Sequence, residues 1–384
     1  MTTGPRPRPP SAHPDPDTVA VYEQRAAEWR GERRPTRIDE AAAFGARVDR
    51  QEDSGDGRRA APVIDLGCGP GWYAPALGET VIALDVAGAM LDLAGTEAPR
   101  AWRVQADLAA LPFRRGALAG AWASKSYVHL PRSAVPLALA DLHRSLRVGA
   151  PLDLHVFAGD MEHDAFPDDT FPGRRFSAWP IERLVDVVVG AGFTIDDLDT
   201  PDESAASDRI VVSATRARTL PDTVGPDMRI LVCGLNPSVY SADVGIGFGR
   251  PGNRFWTAAV AAGLATVDRD PHHALLAHGM GMTDLVKRAT PRADALTRDE
   301  YRSGLDRVTR LVDWLRPGAV CFVGLAGWRA AVDRRAIAGE QPDGLAGVPV
   351  YVMPSTSGLN ARTTPAELEA HLRAAAVLAD SVNR

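Results

Sequence analysis

The sequence predicts an α/β protein of two domains, and three observations lead there. The chain has 384 residues, more than a single hydrophobic core ordinarily organises, so roughly 150 to 200 residues fall to each of two cores. A strand-like run entering a glycine-bearing loop occurs twice, in "VIDLGCGPG" (63–71) and in "ILVCGLNP" (230–237). Between them, the alternating strand "RIVVSATRA" gives way to Pro221, Gly225 and Pro226 before a fresh apolar strand begins. The expected division is a tail at 1–18, a first domain at 19–216, a linker at 217–227 and a second domain at 228–384. The tail is expected to be disordered because "MTTGPRPRPPSAHPDPDT" is too polar and proline-rich to pack a core.

Composition excludes several classes. Hydrophobic residues make up 45% and charged residues 24%, ordinary values for a soluble globular chain. No apolar run approaches the roughly 18 residues of a membrane span, so no membrane partner is expected. Cys68, Cys233 and Cys321 lie far apart, which offers neither a disulfide framework nor a C-x-x-C metal site. With the nine histidines scattered as well, no metal is expected, and a reducing cytoplasm is the expected location. Residues 228–384 carry 18 Lys and Arg against 15 Asp and Glu, or +3, while residues 1–227 carry −9. The basic half is therefore the second, which does not oppose nucleic-acid contact.

In the first half, the strand Val63–Leu66 runs into Gly67-Cys68-Gly69-Pro70-Gly71 and a helix-compatible segment. Glycines there let the backbone turn sharply and approach a ligand. A second strand, "TVIALDV", ends in Asp85, 18 residues after Gly67, where an acid can bind both ribose hydroxyls. "DLGCGPG" departs from the dinucleotide pattern G-x-G-x-x-G and resembles motif I of class I S-adenosylmethionine-dependent methyltransferases. The resemblance extends to "VQADLAALPF", an acidic loop after the third strand, and to "DLHRSLRVGAPLDLHVF", a helix, turn and fifth strand, with "LRVGA" where "LRPGG" is usual. It implies a Rossmann-like methyltransferase sheet binding S-adenosylmethionine through Asp65, Gly67, Cys68, Gly69, Gly71, Asp85, Ala106, Asp107 and Leu108, with Asp107 facing the adenine amino group. Tyr127 and His129 in "SKSYVHLPR" stand where that family commonly meets its acceptor, the alternative being that they pack or cover the donor. No "NPPY"-type tetrapeptide follows the fourth strand, so a small-molecule acceptor of unknown identity is favoured.

The second half contains a literal G-x-G-x-x-G, Gly247–Gly252, but the preceding strand ends near Leu235, some ten residues earlier. A phosphate cradle should leave its strand directly, so the match is fortuitous. The loop does supply an amide, Asn236, fixed by Pro237, and an aromatic ring, Phe248, among glycines. Those parts can hold a flat polar ring, though Asn-Pro is also an ordinary turn and Phe248 could be core. "GLNPSVYSADVGIGFGRPGNRFW" resembles the first motif of mismatch-specific uracil-DNA glycosylases, the Mug and thymine-DNA glycosylase family, and "VYVMPSTSGLNAR" resembles their second.

This second resemblance implies a three-layer α/β/α domain with a parallel sheet, acting on double-stranded DNA with G·U or G·T mismatches and needing no cofactor. It implies Asn236 as the catalytic residue that positions water, and Gly234, Leu235 and Phe248 as the base pocket. Ser357, Gly358, Leu359, Asn360 and Arg362 become the wedge and opposite-strand contacts, with Leu359 entering the stack. Ser238 stands for a family glycine, Thr356 for a proline, and Arg362 is displaced by one position, which leaves base preference open. Asn253 and Arg254 are either functional or the cap of a helix "RFWTAAVAAGL" with Trp256, Val260 and Leu264 inside. The whole reads as a bifunctional DNA-repair glycosylase and methyltransferase. The alternatives are a non-catalytic S-adenosylmethionine-binding or scaffold module joined to a mismatch-DNA-binding domain, or a nucleic-acid methyltransferase whose second domain only locates mismatches.

Overall fold

The protein is described by a computed structural model covering residues 15–53, 61–167, 169–201 and 209–382. It divides into two compact units, Met1–Val188 with Phe193–Ala217, and Val189–Gly192 with Arg218–Arg384. Most of the predicted tail lies outside the described residues. Its end does not: Asp15 caps the first helix by accepting from the Thr18 amide at 3.0 Å, and Thr18 is buried.

Helices α1 (Pro16–Gln24), α2 (Ala26–Glu32) and α3 (Ile38–Asp53) precede the first sheet. Its strands are β1 (Val63–Leu66), β2 (Val81–Asp85), β3 (Trp102–Gln105), β4 (Gly120–Ser124), β5 (Pro151–Ala158), β6 (Ala178–Trp179), β7 (Phe193–Asp199) and β8 (Arg209–Arg216), in the order β3-β2-β1-β4-β5-β8-β7 with β6 paired to β5. Strands β1 to β5 are parallel, joined in part through α4 (Gly88–Glu97) and α5 (Val135–Ser145), whereas β8 runs antiparallel to both β5 and β7. The burial patterns follow from this. Every residue of β1 and β2 is buried, as expected of parallel strands covered on both faces, while β8 alternates between buried and half-exposed. Phe44 and Val48 of α3 pack on Val63, Val81 and Trp122, so the sequence runs that read as strands also form the core. A further helix, α6 (Ile181–Gly190), leads to β7.

The second unit has strands β9 (Ile230–Gly234), β10 (Met280–Asp284), β11 (Val320–Val323), β12 (Gly339–Glu340) and β13 (Val350–Met353), ordered β10-β9-β11-β13-β12. All neighbours are parallel except the short edge strand β12. Its helices are α7 (Val239–Val244), α8 (Phe255–Ala261), α9 (Pro271–His278), α10 (Arg298–Leu315), α11 (Leu325–Ala331) and α12 (Pro365–Val382). Leu368, Leu372, Ala375 and Ala379, at helical spacing on α12, pack with Phe255, Trp256 and Ala259 of α8 against Ile230, Val232, Cys321 and Met353. The alternate strand positions face the other way, where Trp328 of α11 meets Phe322 at 4.9 Å. Helices therefore cover both faces, giving the three-layer α/β/α arrangement expected. Residues 218–224, read from the sequence as part of a linker, are packed into this unit: Thr219, Leu220, Asp222 and Val224 are buried, and Thr223 forms an antiparallel bridge with Met282. A polar, Pro-rich composition hid a segment held by a buried charge. No helix among the described residues is long and apolar enough to cross a membrane.

Candidate active sites

The first site is a cavity of about 690 Å³ within the first unit. The turn after β1 delivers Gly67, Cys68 and Gly69 to its wall, and β2 delivers Asp85. Gly67 sits at φ +64°, and a Cβ there would lie 2.5 Å from that of Ser126, so only glycine passes. Asp85 fixes the loop by accepting from the amides of Gly69 and Ala87, each at 2.9 Å. Ala106 and Leu108 line the cavity, and between them Asp107 is half-buried, accepting from the Ala109 amide at 2.8 Å. Gly71, Asp65 and Asp107 do not line it. Gly71 lets the loop pass Ala94, whose Cβ would stand 2.9 Å from its own. Asp65 is buried with Oδ2 unpartnered among the described residues, and burial, then the charge of Asp85, push its pKa up to about 8.

The acceptor candidates separate. Tyr127 is wholly buried with its hydroxyl unpartnered among the described residues, burial raises its pKa, and it does not line the cavity. His129 does. Its Nδ1 donates to the Arg175 carbonyl at 2.8 Å, and burial pushes its pKa down to about 4, so the ring is neutral near pH 7 and Nε2 is an acceptor. The Tyr22 hydroxyl, 2.9 Å away, donates to Nε2 while accepting from Arg174 at 2.9 Å. Sequence reasoning missed Tyr22, Trp29 and Arg174, all of which line the cavity. Trp29 stacks on Trp72 at 5.3 Å. For Tyr22 and Trp29 the local signal was the aromatic and arginine residues of "VYEQRAAEWRGERR", which are also those of a surface helix, and Arg174 lies outside that stretch.

The second site gathers at the carboxyl ends of β9 and β10. Asn236 donates from Nδ2 to the Pro237 carbonyl (3.2 Å), the Arg288 carbonyl (3.0 Å) and Thr290 Oγ1 (2.8 Å). Three acceptors fix the amide's orientation and leave Oδ1 as its acceptor end. Gly234 is enclosed: a Cβ there would lie 2.4 Å from Asp284 Oδ1 and 3.3 Å from Phe248 Cζ. Phe248, half-buried at φ +54°, stacks one ring face on Phe255 at 4.3 Å. Leu235 contributes backbone, accepting from Val286, while its side chain packs on α11 at Gly327. A pocket of about 30 Å³, room for one water, lies between Phe248, Met282, Thr283 and Asp284 on one side and Leu220, Pro221 and Thr223 on the other.

Asp284 was not singled out from the sequence, although an acid at a strand's carboxyl end was the available signal. Burial pushes its pKa up to about 6. Beside it, Asp222 accepts from Thr283, Lys287 and Arg307 at 2.7, 2.8 and 2.7 Å, and Arg307 also donates to the Asp284 carbonyl at 2.9 Å. Cys233 and Cys321 are buried with raised pKa values, the latter to about 12, which leaves no thiolate here.

The loop after β13 presents Leu359 with 89% of its surface exposed and Gly358 and Arg362 exposed around it. The loop is tied down from within: Asn360 Nδ2 donates to the Ser355 carbonyl and Thr363 Oγ1 at 2.8 and 3.0 Å, and the Leu359 amide donates to Ser357 Oγ at 3.3 Å. Arg254 fastens it from outside, donating to the carbonyls of Thr363 (2.6 Å), Asn360 (2.6 Å) and Ser357 (3.3 Å). The two readings of Asn253 and Arg254 thus divide between the residues, since Asn253 Oδ1 accepts from the Phe255 amide at the start of α8. Val260 is not inside as expected but 40% exposed, because the buried arc of α8 centres on Phe255 and Ala259. Ser238, the departure from glycine, caps α7 through the Ser241 amide.

Residues 221–376 match the family model of the uracil DNA glycosylase superfamily, and residues 63–149 match a model described as a methyltransferase domain. Two enzyme-type domains, a methyltransferase domain and a uracil DNA glycosylase superfamily domain, are therefore fused in one chain. Among solved structures, the chain is similar to a SAM-dependent methyltransferase from Methanosarcina mazei (17% identity, TM-score 0.37, covering 42% of this chain and 94% of that one). It is also similar to 1,6-didemethyltoxoflavin-N1-methyltransferase from Burkholderia thailandensis (21%, 0.38, 56% and 93%) and to a TehB-like SAM-dependent methyltransferase from Corynebacterium glutamicum (19%, 0.37, 53% and 100%).

Proposed function

We infer that the second unit is a Mug-type glycosylase that removes uracil or thymine from G·U or G·T mispairs, and that the first is an S-adenosylmethionine-dependent methyltransferase with a small-molecule acceptor. The observation that carries the glycosylase reading is the Asn236 amide, locked through Nδ2 with Oδ1 left to orient a water. The flipped base stacks on the ring face of Phe248 that Phe255 does not take. Water oxygen bonds to C1′, the N-glycosidic bond breaks, and its electron pair leaves with the base. Asn236 cannot take the water's proton. We assign that step to Asp284, whose Oδ1 approaches Gly234 together with the Phe248 ring. Leu359, held out on a tied loop, fills the space the nucleotide vacates.

The test is single-turnover release of uracil from a duplex carrying one G·U pair, followed between pH 5 and pH 8. Release should require Asp284 ionised, so the rate should fall as pH drops through about 6. Asp284→Asn should lower the rate and remove that acid limb. No release of uracil, thymine or any damaged pyrimidine would sink the reading. Leu359→Ala should slow release from the duplex by about tenfold or more, because flipping costs a few kcal/mol there, and much less from single-stranded DNA. Equal slowing on both substrates would remove Leu359 from the wedge.

For the methyltransferase, the residues fit the donor. Gly67 and Gly69 let the backbone approach, Asp85 stands at the end of β2, and two buried polar atoms on the cavity wall, Trp29 Nε1 and Ser126 Oγ, have no partner among the described residues. Bound S-adenosylmethionine supplies an electrophilic sulfonium methyl group. Around it, the glycine loop and Asp85 hold the donor, and the aromatic walls exclude water.

A further inference from the structure

The donor reading uses Gly67–Gly69, Asp85, Ala106 and Leu108, and leaves another stretch of the same wall unexplained. There Arg37, Ser124 and Lys125 line the cavity beside Phe157, Phe166 and Phe176. Ser124 ends β4, and Lys125 follows at φ +62°, a conformation unfavourable for a side chain of that size, which sets Nζ 4.4 Å from the centre of the Phe157 ring. The Arg37 side chain is 12% exposed. Its Nη1 donates to Ser124 Oγ at 3.3 Å, and its nearest carboxylate oxygen, Glu40 Oε2, stands 3.9 Å from Nε. Both Glu40 oxygens already accept from Arg209, at 3.0 and 2.9 Å, and Arg209 also donates to Asp199 Oδ2 at 3.4 Å.

His155, wholly buried close by, adds no negative charge. Neither of its ring nitrogens has a hydrogen-bond partner among the described residues, Nδ1 stands 4.0 Å from Glu40 Oε2, and burial, then Arg37, Arg209 and Lys125, push its pKa down to about 3. Among the described residues no carboxylate lies closer to the Arg37 guanidinium than that of Glu40 at 3.9 Å, in a part-enclosed space where screening is weak. Guanidinium is planar and presents paired N–H groups that match a carboxylate. The three phenylalanines lie 4.8 to 6.1 Å apart, centre to centre, and give the adjoining surface an apolar, ring-accepting character.

We propose that the methyl acceptor is an anionic aromatic small molecule, its carboxylate held by Arg37 with Ser124 and Lys125 beside it and its ring lying among Phe157, Phe166 and Phe176. The proposal rests on the methyltransferase reading of the first unit. Its test uses the full chain saturated with S-adenosylhomocysteine and titrated calorimetrically with 4-hydroxybenzoate, 3-hydroxy-2-naphthoate and the amides of both acids. Each acid should bind about tenfold or more tightly than its amide. Arg37→Gln should bring that ratio near one and Lys125→Met should lower it, both with S-adenosylhomocysteine affinity within about twofold of native, which shows the variants folded. A ratio near one in the native chain, binding by neither acid, or a ratio that survives Arg37→Gln each overturns the proposal. Failure to bind S-adenosylhomocysteine at all overturns the methyltransferase reading first, and the acceptor proposal with it.

Discussion

Replacing Asn236 by alanine is expected to slow uracil release from a G·U duplex by at least about 10²-fold, the loss typical of one preorganised polar group at a reacting centre. Duplex affinity should change little, since phosphate contacts dominate it and Asn236 makes none of its bonds through charge. The substitution also deletes the hydrogen bonds of the two Nδ2 hydrogens, at about 1 kcal/mol each, so thermal unfolding of the variant must be measured alongside the rate. Asn236→Asp separates the two effects. A carboxylate keeps the size and an acceptor oxygen but turns a second acceptor toward the Pro237 and Arg288 carbonyls and Thr290 Oγ1. Its rate should therefore fall with the side chain still present. If both variants release uracil at the native rate, Asn236 is a structural clasp between the β9 loop and segment 288–290, and Asp284 must carry the water alone.

Why some of this was legible in the sequence and some was not has a physical basis. The strand-to-loop junctions were legible because a parallel strand buried on both faces must be an apolar run, and a tight exit from it demands glycine, as at Gly67 and Gly234. Both requirements act within a few residues of chain. Arg254 shows the opposite case. Its neighbours spell a helix start, yet its guanidinium bonds carbonyls at 357, 360 and 363, more than a hundred residues away. Tyr22 and Arg174 meet across an even longer separation. Side chains that act through a partner distant in sequence leave no periodicity to read. Leu359 was legible for a different reason: a leucine between Gly358 and polar residues has nothing local to pack on, and the fold leaves it exposed.

Asp222→Asn is expected to destabilise the second unit by about 3–5 kcal/mol, the cost of leaving buried cations without their counter-charge. Asp222 is 3% exposed and Arg307 5%, and the carboxylate answers Arg307, Lys287 and Thr283 at once. Burial alone would raise its pKa, but Arg307 and Lys287 outweigh it and hold the carboxyl below the usual carboxylate range. The sign of the pH dependence follows. A lowered folded-state pKa contributes stability above the unfolded-state value of about 4 and loses it as pH falls through the folded one, so the gap between native and variant should close on acidification. Asp284 runs the other way. Its raised pKa makes the ionised form the less stable one, so its stabilising contribution is lost as pH rises through about 6. The carboxylate proposed as catalytic and a structural one thus sit in one strand-end cluster with opposite linkage, and denaturant unfolding at pH 7 and pH 4 distinguishes them. Asp222→Asn combined with Lys287→Met should recover part of the loss, because removing one stranded cation removes part of the penalty. Full native stability in Asp222→Asn would mean that water reaches Arg307 and Lys287, and the segment 218–224 would then be a true linker resting on the sheet rather than a part of its core.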